Sequence, residues 1–170
     1  LFHKDFKNET QVTCTVLSHD QENDSDILAL IATSAAITLS GLPFMGPLGA
    51  TKIGMLDGKL VANPTISEIK ESNLELVVAG TSKGVLMVES EAQQLSEEQM
   101  LEAVVLGQET YKEVIDAIIN LAKKAAKDPW DIPEKEEEIK NLPIEIEKKY
   151  KAKFIDAYKI QEKQKRSETL

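Results

Sequence analysis

The chain has 170 residues, 42% of them hydrophobic, and a formal net charge of −9, which is enough apolar content for a real core but a poor global match to nucleic acid, whose phosphates are bound by Lys and Arg. No apolar run reaches the roughly 20 residues that cross a bilayer, and the opening LFHKDFKNE has no initiator Met and no leader-like pattern, so Leu1 reads as an internal cut. The single cysteine, Cys14, excludes an internal disulfide and lacks the Cys or His company of a structural zinc, so a soluble chain of a reducing compartment, the cytoplasm, is expected, with neither a membrane nor DNA as partner.

In chain order, TQVTCTVLS (residues 10–18) alternates with a period of two and predicts a strand, with Cys14 as a small hydrophobe within it. Polar HDQENDSD follows, and Asp24, Ser25 and Asp26 are all credible N-caps for ILALIATSAAITLS, a helix apolar nearly all round and so expected to be buried. Gly41 and Pro43 stop it. ATKIGML, Asp57-Gly58 and KLVANP then form a hairpin. PTISEIKES is a short helical or irregular crossover, and ELVVAG and GVLMVES make a second hairpin through GTSKG.

From Ser96 the period becomes 3.6. Ser96 and Gln99 form a capping box, and Met100, Val104, Tyr111, Ile115, Ile118 and Ala122 sketch the apolar stripe of a helix running to about Lys127. DPWDIPEKEEE reads as a linker, with a second helical region from about Pro143 to Lys165 whose sparse apolar positions need a partner.

Candidate sites are few. GTSKG lacks the phosphate-loop spacing and joins a strand to a strand, so it reads as a turn. Glu89 and Glu91 share a strand face, as a metal or acid/base pair would, but a strand end entering solvent gives the same pattern. His3 and His19 are isolated, and Trp130 reads as a packing anchor more than a base-stacking platform. Lys148, Lys149, Lys151 and Lys153 in KKYKAK are weak candidates for RNA phosphates, because glutamates interleave with them at helical spacing. The residues alone stop at a soluble α+β layer with a helical extension.

Several stretches nevertheless resemble the bacterial polynucleotide phosphorylase family: NETQV (8–12), SAAITLSGLPFMGPLGATKIG (34–54), NPTISEIKESNLELVVAGTSKGVLMVESEA (63–92) and LSEEQMLEAVVLGQE (95–109), with PWD (129–131) and DAYKI (156–160) more loosely similar. The resemblance implies an α+β fold, a partial ribonuclease PH-like core followed by an all-α helical domain. Residues 1–95 would be the C-terminal half of the first such core, 96–127 a long connecting helix, and 128–170 the start of an RNA-binding-type helical domain. It further implies a parent enzyme that degrades RNA from the 3′ end, using inorganic phosphate to release nucleoside diphosphates, as a homotrimer with RNA in its channel. Mg2+ or Mn2+ would be bound outside this segment.

The family's catalytic core places one aspartate six residues before a second, with a lysine two further on, ahead of its V-A-G strand. Counting back from Val78-Ala79-Gly80, those places hold Ile69, Glu75 and Val77. ENDSDIL stands where a serine-rich phosphate loop would be, and its acids repel phosphate. No catalytic residue and no metal ligand set is therefore expected here, since Glu75 alone cannot hold magnesium. The rival readings are a stand-alone interaction or RNA-binding module that reuses the fold, and a subunit of an exosome-type ring.

Overall fold

The computed structural model describes residues 1–132 and 137–170. They divide into two compact units, Leu1–Ile132 and Pro133–Leu170. In the first, α1 (Asp26–Leu39) precedes β1 (Gly49–Leu56) and β2 (Lys59–Ala62), α2 (Ile66–Glu71) crosses over, and β3 (Leu74–Thr81), β4 (Gly84–Ala92) and the long α3 (Glu97–Ala125) follow. The four strands form one antiparallel sheet in the order β2-β1-β3-β4.

Strand alternation gives that sheet two different faces. On one, Ile53 and Met55 of β1 and Leu74, Leu76 and Val78 of β3 close against Ala103, Tyr111 and Ile115 of α3 in a single cluster. On the other, Ala50, Val77 and Ala79 pack against Ile27 and Ile31 of α1. β1 is thus buried on both sides, the environment in which strands read as continuous apolar runs. Helix α3 approaches closely because Gly107 faces the sheet: a Cβ there would lie 2.9 Å from Val78 Cγ2.

Local signals explain the element ends. Asp57 and Gly58 both adopt positive φ, 49° and 74°, the geometry of a two-residue hairpin turn between Leu56 and Lys59. At the start of α3 the Gln99 amide donates to Ser96 Oγ at 3.2 Å and the Ser96 amide donates to Gln99 Oε1 at 3.0 Å, completing the capping box. Thr65 and Glu68 cap α2 in the same manner.

Two expectations are corrected in this unit. Residues 10–18 form no strand and are exposed throughout, Leu17 at 93%; an alternating sequence needs a neighbouring strand to take its hydrogen bonds, and no described strand pairs with it. Cys14 instead reaches α1, its Sγ 3.2 Å from Thr33 Oγ1. Helix α1 is covered on one side only: Ile27 and Ser34 are buried while Leu28 is 63% exposed. After α3 the chain returns along α1, with the amides of Lys127 and Trp130 donating to the carbonyls of Leu39 and Gly41. Trp130 is half-exposed and stands edge-on to Phe6, at the end of an aromatic row with Phe2 and Phe44, as a packing anchor would.

The second unit contains α4 (Glu137–Tyr158) and α5 (Lys163–Thr169). The helical region expected from about Pro143 to Lys165 is made of these two helices, and Pro143 lies inside α4 instead of starting it. The break after Tyr158 is held by Arg166, whose Nη1 donates to the carbonyls of Ile160 and Gln161 at 2.9 and 3.3 Å. Part of the expected linker, residues 133–136, lies outside the described residues.

Candidate functional site

The α1-facing side of the sheet carries a buried charge, Lys52. Lys52 is the only charged residue between Asp26 and Asp57, and strand alternation turns it away from Thr51 and Ile53, toward α1. Its side chain is only 5% exposed. A buried ammonium requires compensating charge, and three carboxylates from three elements supply it. Asp24 Oδ2, from the loop before α1, lies 3.0 Å from Lys52 Nζ; Asp26 Oδ2, on the first residue of α1, lies 2.8 Å away; and Glu75 Oε1, from β3, lies 3.0 Å away. Three negative charges on one positive leave the hub at a net −2.

The backbone around this hub is fixed from several directions. Lys52 N–H donates to Asn63 Oδ1 at 3.1 Å and its carbonyl accepts from Asn63 N–H at 2.7 Å, with Asn63 at a positive φ of 51°. Asp20 folds the preceding loop by accepting from the amides of Asn23 and Glu22 and from the Asn23 side chain. Those bonds, the Asn23 amide first, hold its carboxyl down at about 2. Burial alone would lower the Lys52 pKa, but the carboxylates of Asp26, Asp24 and Glu75 outweigh it and hold the ammonium above the ordinary lysine value. Asp24 moves the other way, its hydrogen bond from Lys52 holding it below the usual carboxylate range. Lys52, Asp24 and Asp26 line an open cleft of about 370 Å³ together with Asp20, Asn23, Ile31 and Pro64.

The three positions singled out from the sequence separate. Glu75 is in the hub, and Val77 stands directly opposite Lys52 in the β1–β3 register, packed toward Ala50 and Ala79. Ile69 is half-buried on α2, outside the hub's ion pairs. Glu89 and Glu91 lie on the exposed strand β4, opposite Val77 and Glu75 respectively. GTSKG is a turn: Thr81 pairs with Gly84, and Thr81 Oγ1 accepts from the Lys83 amide at 3.3 Å. His3 lies near Asp5, and His19 Nε2 lies 2.8 Å from the Asn23 carbonyl, so the two histidines serve local turns. Helix α4 divides the four lysines between two faces. Lys149 and Lys153 stand over the Tyr150 ring, 5.3 and 5.9 Å from its centroid, while Lys148 and Lys151 line the groove with Ile144 and Ile155, Lys151 paired to Glu147.

Lys52 is the residue that motif reading passed over. Its sequence signal is isolation: one charge in a long uncharged stretch, in the middle of a strand buried on both faces.

This half-sheet with its flanking helices is the C-terminal module of a ribonuclease PH-type fold. Residues 46–110 match the 3′ exoribonuclease family, domain 2. The solved structure of rice (Oryza sativa) Rrp46 superposes with a TM-score of 0.55 over 61% of this chain and 50% of that one, at 17% identity, a likeness of fold alone. Polyribonucleotide nucleotidyltransferase of Gluconobacter oxydans is 57% identical over 98% of the chain, and that of Granulibacter bethesdensis 52% identical over all of it. The chain belongs to the polyribonucleotide nucleotidyltransferase family, and it spans about a quarter of the length of those relatives, 23% and 24%.

A divalent ion, which the family resemblance implies for the whole enzyme, does not fit the described residues of this hub. The point on which the three carboxylates converge is taken by Lys52 Nζ, and no group of three or more His, Cys, Asp or Glu among the described residues is placed to hold a metal.

Proposed function

We propose that the chain is a non-catalytic part of a phosphate-dependent 3′-to-5′ exoribonuclease, a structural block of its first core followed by the start of a helical domain. The observation that carries the non-catalytic reading is the acidic cleft. Asp24, Asp26 and Glu75 already saturate its single lysine, and Asp20 lines the same cleft, so an incoming phosphate meets net negative charge at short range, where like charges repel strongly. The long identity with polyribonucleotide nucleotidyltransferases supports the parent activity.

In that parent, RNA and inorganic phosphate are the substrates, Mg2+ or Mn2+ acts at a site outside this segment, and three copies surround the RNA. The positions corresponding to a catalytic acid pair and lysine, Ile69, Glu75 and Val77, contribute no chemistry. A cytoplasmic setting is consistent with the single cysteine; among the described residues no helix is long and apolar enough to cross a membrane. Lys149 and Lys153 beside Tyr150 are the better placed of the four lysines for RNA, since a ring flanked by cations offers both stacking and phosphate contact.

The test is release of nucleoside diphosphate from poly(A) by the 170-residue chain, with phosphate and Mg2+ present. No release above the protein-free control is expected. Phosphate-dependent release that Glu75→Gln abolishes would overturn the reading.

A further inference from the structure

We propose that residues 10–18 of this chain are a free strand whose partner is the same segment of a second copy, paired antiparallel about a two-fold axis through Cys14. The inference rests on the first unit's geometry and on the order of residues in the segment, and it stands apart from the parent's ribonuclease activity.

The segment is half of a ribbon. Its alternation puts Val12, Cys14 and Val16 on one face and Thr13, Thr15 and Leu17 on the other, and Val and Thr are residues that suit strands. Cys14, on the first face, turns to α1, its Sγ 3.2 Å from Thr33 Oγ1, and the segment shares with Leu28, Ala29, Ala32 and Ala36 of that helix a groove of about 500 Å³. No backbone hydrogen bond joins residues 10–18 to any other described residue, while Val12, Val16 and Leu17 are 46%, 57% and 93% exposed. Backbone and side chains are thus both open to pairing, the condition under which strands add to one another across molecules. A two-stranded ribbon alone is marginal in water, but here each strand already lies on a helix, which supplies a second layer.

The sequence itself selects a second copy as the occupant. Val12-Thr13-Cys14-Thr15-Val16 reads the same in both directions. An antiparallel two-fold therefore sets Cys14 opposite its own copy, Thr13 opposite Thr15 and Val12 opposite Val16, and β-branched side chains that face one another in this way stabilise a sheet. No charged residue lies between Glu9 and His19. The same two-fold places Glu9 opposite His19, and then Asn8 opposite Asp20, so like charges do not meet across the ribbon. Slipping the register by one residue would set Val12 against Thr15 and put the two α1 helices on opposite sides of the ribbon. The in-register pairing keeps both helices on one side and makes an isologous interface, closed at two copies.

The test is sedimentation velocity of the 170-residue chain in reducing buffer, over micromolar to millimolar concentrations. A reversible monomer–dimer equilibrium is expected. A monomer throughout overturns the proposal, including one in which the amides of 10–18 exchange slowly because the chain itself closes the edge. Open-ended aggregates in place of a dimer overturn it as well, since a two-fold pairing cannot grow. Adjacent amides of a strand point to opposite edges, so in either Cys14→Pro or Thr15→Pro the lost donor faces the second copy. At least one of the two should weaken the dimer by about tenfold, with the melting temperature of the dilute chain unchanged; unchanged association in both overturns the proposal. The register is read in a Cys14→Ser background by mixing chains carrying Val12→Cys with chains carrying Val16→Cys and oxidising with diamide. Disulfides between the two kinds should form severalfold faster than those within either kind, and equal rates overturn the proposal. This readout decides alone if the proline variants fail to fold. Diphosphate release is not among these measurements, so failure here and failure of the ribonuclease reading are distinct results.

Discussion

The two faces of the sheet solve the same packing problem by opposite means. Toward α3, Ile53, Leu74, Leu76, Val78, Tyr111 and Ile115 are all within 1% of complete burial and the contact is apolar. Toward α1, a smaller apolar cluster of Ile27, Ala50 and Ala79 is joined to a lysine with three carboxylates. The first face is built for stability. The second holds a charged centre whose carboxylates outnumber its lysine three to one, which teaches that the same sheet can be closed by apolar burial on one face and by compensated charge on the other.

Substitutions should register the difference in graded fashion. Leu76→Ala on the α3 face removes a fully buried side chain from the main cluster and should cost about 3–4 kcal/mol, read as a shift in urea midpoint. Lys52→Met should cost less, about 2–3 kcal/mol, because the stranded carboxylates are buried only in part and solvent screens them. Ser96→Ala, which removes one half of the α3 capping box, should cost about 1 kcal/mol. Tyr111→Phe is the smallest and opposite in sign. The hydroxyl is buried with no hydrogen-bond partner among the described residues, so its removal should be neutral or stabilising by about 0.5–1 kcal/mol.

The faces should also differ in their response to pH. Asp24 is held below its ordinary value of 3.8, so its contribution is present above that pH and is lost as pH falls through the lower folded value. Lys52 is held above 10.5, so its contribution is complete below that pH and disappears as pH rises through the higher folded value. Stability of the unaltered chain should therefore fall at both extremes. Lys52→Met should flatten both limbs, and Leu76→Ala should lower the whole curve without changing its shape, as followed by thermal melts from acid to alkaline pH.

What was legible in the sequence is local. Asp57-Gly58 announces its turn because a positive φ at both positions suits few residue pairs, and Ser96 with Gln99 announces a helix start because both partners lie within one turn. The hub was only half legible. Glu75 and the acids of ENDSDIL could be suspected of having lost a site, but their convergence on Lys52 spans 28 and 23 residues, which only the sheet register and the α1 crossover bring about. Residues 10–18 show the opposite failure, a strand pattern without a strand, because alternation fixes which side chains share a face and cannot supply a neighbour. The break at Tyr158 escaped because it depends on Arg166 reaching back to Ile160 and Gln161.

The central claim is that Lys52 is a buried ammonium already saturated by the carboxylates of Asp24, Asp26 and Glu75. Nitrogen-15 NMR of the lysine ammonium groups tests it most directly, with the Lys52 signal assigned through Lys52→Arg. The account predicts a slowly exchanging Lys52 signal that persists above pH 10.5, the ordinary lysine value, and that loses its protection in Glu75→Gln. A Lys52 resonance that exchanges and titrates like those of the exposed lysines on α4 would contradict it.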